Sequence, residues 1–191
     1  MKIIMNHKEI EIKLQIDEDN YYRLLALMES TAAFQSKKHQ VDIYYSPENE
    51  SYYDNGDRCL RIRSENNKSI LSYKRINGEG TSQQYIEEYE TCIESQDMMN
   101  NILKALNYRS EIIVDKNRKE YCTADGFLVA LDVVENLGFF VEIENRNRED
   151  VVEKQNKDLV HFVGCLGLDM AWRNSEGYSN MLYRKNCRKG E

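Results

Sequence analysis

Proline occurs once in this chain, at Pro47, and no Pro-, Gly- or Ser-rich stretch interrupts it. Without such a linker the 191 residues are expected to form one domain, residues 1–191, long enough to bury a real core. The last residues, 184–191, read as a frayed polar tail. Cysteine is sparse and unpatterned: Cys59, Cys92, Cys122, Cys165 and Cys187 are odd in number and lack CxxC spacing. This excludes a disulfide framework and a zinc site and fits a reducing compartment. No apolar run of about 18 residues is present and no signal-peptide segment opens the chain, so a cytoplasmic protein without membrane contact is expected. Basic residues are in deficit, 26 Lys and Arg against 33 Asp and Glu, for a net charge of −7. That balance argues against a nucleic-acid partner, while local basic pairs still suit a small anion.

What the chain does have is alternation. His7–Ile16 reads HKEIEIKLQI, with Glu9, Glu11, Lys13 and Gln15 in one register and Ile10, Ile12, Leu14 and Ile16 in the other, the period of a strand with one apolar side. Similar strands are predicted at 41–45, 58–64, 69–76, 84–93, 111–121, 127–134 and 139–144. Turn signals fall at Asp54-Asn55-Gly56-Asp57, Asp125-Gly126 and Leu137-Gly138. Helical spacing appears in Asp17–Phe34 (Tyr21, Leu24, Leu25, Met28), after a Ser95 cap (Met98, Met99, Ile102, Leu103, Leu106) and in Asn147–Leu168. Lys37–Gln40 reads as a polar loop and Tyr178–Tyr183 as a short last element. Sequence-adjacent hairpins with a few helices suggest a closed or nearly closed barrel.

The strand charges come in i, i+2 pairs, which point to one side of a sheet. The acids are Glu9 and Glu11, Glu88 and Glu90, Asp132, and Glu142 and Glu144; the bases are Lys13, Arg61 and Arg63, Lys74, and Lys116 and Arg118. Two arrangements fit. Either the charges face water around an ordinary sandwich core, or they line the interior of a barrel whose helices lie outside. The second is costly unless each buried charge finds a partner. A polyanion and divalent cations would be such partners, because carboxylates suit Mg²⁺ or Mn²⁺ and arginine forks suit phosphate.

In their order along the chain, these residues resemble a known family. Glu9-Ile10-Glu11-Ile12-Lys13 resembles the ExExK signature of the CYTH family, the triphosphate tunnel metalloenzymes. That family includes class IV adenylyl cyclases, thiamine triphosphatases and inorganic triphosphatases. Leu60-Arg61-Ile62-Arg63 is similar to its LRxR strand, Leu71-Ser72-Tyr73-Lys74 to its single-lysine strand and Lys116-Asn117-Arg118 to its later KxR pair. Residues 131–144, LDVVENLGFFVEIE, resemble LDxVxxLGxFxEIE of members named class IV adenylyl cyclase, and Tyr178–Leu182 resembles a closing SYxxLL segment. One departure stands out: Gln83-Gln84-Tyr85-Ile86 lacks the arginine that often precedes the middle acidic pair.

The resemblance implies an α+β fold, an antiparallel eight-stranded β-barrel with helices packed outside. It implies Mg²⁺ or Mn²⁺ held by Glu9, Glu11, Asp132, Glu142 and Glu144, with Glu88 and Glu90 as second choice. Lys13, Arg61, Arg63, Lys74, Lys116 and Arg118 would hold phosphate, and Glu9, Glu11 and Lys13 would be catalytic. The partner would be a small triphosphate (ATP, inorganic triphosphate or thiamine triphosphate), with a homodimer allowed. The implied activity is first a class IV cyclase-like conversion of ATP to cyclic AMP and pyrophosphate. The alternatives are a triphosphatase and a polyphosphate-binding module without turnover.

Overall fold

Alternating apolar residues need a partner layer, and in this chain helices supply it. A computed structural model describes residues 11–66, 68–77, 85–146 and 152–188. Glu9, the loop at 78–80, Gln83, Gln84 and the expected helix start at 147–151 lie outside the described residues. The strands are β1 (Glu11–Ile16), β2 (Ala33–Pro47), β3 (Arg58–Glu65), β4 (Lys68–Asn77), β5 (Tyr85–Ile93), β6 (Tyr108–Cys122), β7 (Phe127–Val134) and β8 (Gly138–Asn145). The helices are α1 (Glu18–Thr31), α2 (Tyr52–Asn55), α3 (Gln96–Ala105), α4 (Val152–Cys165) and α5 (Tyr178–Cys187). The strands form one eight-stranded sheet in the order β1-β8-β7-β6-β2-β3-β4-β5, whose ladder is not closed by hydrogen bonds among the described residues. The expected α+β class and eight antiparallel strands are therefore found.

The described residues fall into two compact units, one of 40–115 with 177–188 and one of 11–39 with 116–176. In the second unit, Ile12, Leu14, Val129, Leu131, Val141 and Ile143 make a strand face that buries against Leu24 and Met28 of α1 and Leu159 and Val163 of α4. Asp17 caps α1 by accepting from the Asn20 amide at 2.8 Å. Helix α4 ends at a left-handed Gly167 (φ +67°), the conformation glycine adopts without strain. In the first unit, Tyr45, Ile62 and Leu103 form the core, with Ile43, Leu60, Leu71 and Met99 against it.

Three expectations are corrected. The polar loop at Lys37–Gln40 is part of β2: burial alternates there, but Ser36, Lys38, Gln40 and Asp42 carry it, so no apolar rhythm advertises the strand. The apolar stripe of α3 splits: Leu103 is buried, while Met98, Ile102 and Leu106 remain exposed. The last element runs to Cys187, past the expected end at Tyr183, with Arg184 and Lys185 in its final turn, where cations favour the helix dipole.

Candidate active site

Register decides which charges share a face. In the second unit β1 pairs with β8 so that Glu11 opposes Glu144 and Lys13 opposes Glu142. Strand β8 pairs with β7, setting Glu142 opposite Ala130, and β7 pairs with β6, setting Ala130 opposite Glu120 and Asp132 opposite Arg118. Alternation then gathers Glu11, Lys13, Glu142, Glu144, Asp132, Lys116, Arg118 and Glu120 on the side away from the apolar core.

Asp132 is fully buried and anchors this face. Arg118 donates to both of its oxygens, Nε to Oδ1 at 2.7 Å and Nη2 to Oδ2 at 2.5 Å, a charge-assisted fork. Lys116 Nζ lies 3.5 Å from the same carboxylate. The guanidinium also donates to Glu142, although β7 lies between β6 and β8. It can do so because the β7 residue opposite Glu142 is Ala130, whose methyl leaves the path open. Lys13 donates to the Glu176 carbonyl. Burial holds its ammonium below the ordinary lysine value, despite the nearby charges of Glu142, Glu11, Asp132 and Glu176.

Glu120, Ser36 and Lys38, which the sequence reading left out, belong here. Glu120 accepts from Ser36 Oγ at 2.5 Å and pairs with Lys38 at 2.9 Å. Burial raises the Glu120 carboxyl, but the Ser36 and Lys38 hydrogen bonds outweigh it and hold the group below its ordinary range. Their signal was present in SxKxQxD over residues 36–42, an alternation in which the buried register is polar.

The first unit has its own charged face. Asp42, nearly fully buried, receives both Arg63 Nε and Nη2 at 2.7 Å. Arg61 Nη1 lies 3.8 Å from Asp42, and Arg61 Nε donates to Ser72 at 3.3 Å. Lys74 pairs with Glu88 at 2.8 Å, and Arg61 lies 4.0 Å from Glu90. The second-choice acids thus have basic neighbours. Burial and the Asp42 charge hold the Tyr44 phenol above its ordinary range, against a hydrogen bond from Arg61. Cys59 opposes Lys74, yet burial raises its thiol, so it is a poor nucleophile. Asp42 was not singled out from sequence, because a lone aspartate in VDIYY has no i, i+2 acidic companion.

A divalent cation was expected. Among the described residues no three His, Cys, Asp or Glu side chains form a ready metal-binding group, and Glu9 lies outside those residues. The donor chemistry nevertheless fits. Glu11 and Glu144 oppose each other across β1 and β8, an arrangement of like charges that is unfavourable by itself. One or two carboxylates completed by substrate phosphate oxygens are the usual protein share of a Mg²⁺ site.

The CYTH domain profile matches residues 7–163. No curated protein matches the chain. Among solved structures, the chain is similar to the PH1819 protein from Pyrococcus horikoshii OT3, at 26% identity over 93% of this chain and 99% of that one, with a TM-score of 0.70. It is similar to a conserved hypothetical protein from Pyrococcus furiosus, at 25% identity over 90% and 98% of the two chains and a TM-score of 0.65. It also shares its fold with HpAC1 from Hippeastrum, a candidate adenylyl cyclase that reveals a dominant triphosphatase activity (18% identity, 93% and 95% coverage, TM-score 0.67). No helix among the described residues is long and apolar enough to cross a membrane. With a profile that spans most of the sequence and an eight-stranded sheet carrying its charges in register, the chain belongs to the CYTH domain family.

Proposed function

We propose that this protein is a metal-dependent enzyme acting on a small triphosphate, and that its reaction is cyclase-like: ATP to cyclic AMP and pyrophosphate. The carrying observation is the register of β1, β8, β7 and β6, which puts an opposed carboxylate pair, Glu11 and Glu144, on the same face as Lys13, Lys116 and Arg118. The match of residues 131–144 to the cyclase-type motif favours this reaction.

In this reading Glu11 and Glu144 hold Mg²⁺ or Mn²⁺, with Glu142, Asp132 and Glu9 contributing. When bound, the cation offsets the charge that develops on phosphate oxygens. Lys116 and Arg118 hold phosphate oxygens on this face, and Arg61, Arg63 and Lys74 are the side chains of the same chemistry on the charged face of the first unit. Asp132 orients the Arg118 fork. The ribose 3′-oxygen forms a bond to the α-phosphorus while the bond to the bridging oxygen breaks, and pyrophosphate departs with that electron pair. Lys13 is suited to accept the hydroxyl proton, since burial favours its neutral amine.

A second reading is hydrolysis, with water attacking the terminal phosphorus. The same grip serves it, and the dominant triphosphatase activity of HpAC1 favours it. One assay separates the two. Protein, Mg²⁺ or Mn²⁺, and ATP, inorganic triphosphate or thiamine triphosphate are incubated and the products identified. Cyclic AMP with pyrophosphate is expected; orthophosphate selects the second reading, and binding without product rejects both. Glu9→Gln and Glu142→Gln should each abolish turnover in a folded protein, as judged by circular dichroism. Wild-type turnover in both variants would refute the metal assignment.

A further inference from the structure

The family resemblance leaves this chain one cation short, because Gln83-Gln84-Tyr85-Ile86 has no arginine. We propose that Lys38 is a further phosphate-gripping side chain, on the charged face of the second unit. This rests on the triphosphate reading above.

Lys38 lies on β2, and its ammonium sits 2.9 Å from Glu120 Oε2, with side-chain exposures of 26% and 15% for the two residues. Glu120 follows Arg118 by two residues and Lys116 by four, so the carboxylate that Lys38 touches stands in the row of proposed phosphate ligands, about 7 Å beyond Arg118. The pair is sheltered but open to water, as a ligand-exchanging lysine requires. A fully buried ammonium could not leave its partner, and a fully exposed one would not be placed.

The surroundings make the exchange cheap. Ser36 Oγ donates 2.5 Å to the same Glu120 oxygen, and the Arg118 charge also stabilises that carboxylate. If Lys38 swings to a phosphate oxygen, Glu120 keeps the hydroxyl and the guanidinium charge. The long flexible stem of lysine permits that swing, which a fork locked on two oxygens does not. Lys37 serves as an internal control. It carries the same charge one residue away, is exposed, and falls in the alternate register of β2.

The test is isothermal titration of inorganic triphosphate, without divalent cation so that no turnover intervenes, into wild type, Lys38→Met, Lys38→Arg and Lys37→Met. Methionine keeps most of the stem, and thermal melts confirm folding. Loss of one charged hydrogen bond predicts that Lys38→Met binds about tenfold more weakly. Lys38→Arg should recover most of that loss, and Lys37→Met should stay within about twofold of wild type, as a screened surface charge does. Equal affinities for Lys38→Met and Lys37→Met overturn the role of Lys38 alone. A wild type that does not bind triphosphate overturns the reading beneath it.

Discussion

The two charged faces use the same device with different reserves. In the first unit, Arg61 and Arg63 on β3 share the buried Asp42 of β2. In the second, Lys116 and Arg118 on β6 share the buried Asp132 of β7. In each, the later base takes both oxygens as a fork and the earlier base stands farther off, at 3.8 Å for Arg61 and 3.5 Å for Lys116. One aspartate thus takes one base as a fork and holds its i, i+2 companion at longer range. Beyond this shared plan the faces diverge. The second unit adds Glu11, Glu142 and Glu144 on neighbouring strands, whereas the first adds Ser72, Tyr44 and two carboxylates, Glu88 and Glu90, that already face Lys74 and Arg61. The comparison teaches that both faces hold paired bases on a buried aspartate, while the cation chemistry proposed above draws mainly on one.

The sharpest way to break this parallel is to remove the aspartates. Asp132→Ala leaves Arg118 on Glu142 alone and takes the nearby carboxylate from Lys116, side chains that are 16% and 5% exposed, and should cost about 3 kcal/mol in chemical denaturation. Asp42→Ala takes the shared carboxylate from Arg63 and Arg61, which are 27% and 15% exposed, and should cost roughly half as much, because water reaches Arg63 and Arg61 keeps Ser72. An equal or larger loss at Asp42 would end the claim that the second face is the more tightly built.

Next in size is Ala130→Leu. The larger side chain would stand between Arg118 and Glu142, with an expected stability loss of about 1–3 kcal/mol from overpacking. Turnover should fall further than in Ala130→Gly, and an active Ala130→Leu would show that the reach of Arg118 over β7 is dispensable.

A smaller effect is expected at the opposed carboxylates. Glu144→Gln removes one charge opposite Glu11 but also the Arg146 partner, 3.3 Å from Glu144, so the metal-free protein should change by no more than about 0.2–1 kcal/mol, while the rise in melting temperature expected of wild type with Mg²⁺ should be lost. Unchanged Mg²⁺ stabilisation would remove Glu144 from the cation site.

The smallest concerns Lys13. Its folded value lies below the ordinary 10.5 because burial penalises the ammonium. In the window between the two values the unfolded chain binds more protons, so stability should climb as pH rises through the folded value and level off near the unfolded one. Lys13→Met should lack that climb, and a variant that retains it would assign the slope to another group.

How much of this was legible beforehand follows from the kind of signal each residue gives. Strands with an apolar register, such as Glu11–Ile16 and Gly138–Asn145, were plain, and so were the i, i+2 charge pairs. The N-terminal half of β2 was not, because its buried register is Ser36, Lys38, Gln40 and Asp42. In an ordinary sheet polarity marks the water side; here it marks a sheltered side, and the usual inference inverts. Partner choice was also hidden. Nothing in the spacing tells that Asp42 will fork Arg63 or that Ala130 lets Arg118 reach Glu142, since both depend on cross-strand register. The exposed Met98, Ile102 and Leu106 of α3 show the converse, an apolar stripe broader than the face that is buried.

The Arg118 fork has a kinetic corollary. In the reading proposed above, an incoming phosphate competes with Glu142 alone for a guanidinium that Asp132 keeps in place, so the free energy of capture is a difference between two attractions rather than the whole of one. Such a swap moderates affinity and speeds departure. A catalyst whose product keeps much of its reactant's negative charge benefits from that trade, because a bare cluster of cations would bind the product as tightly as the starting material and stall.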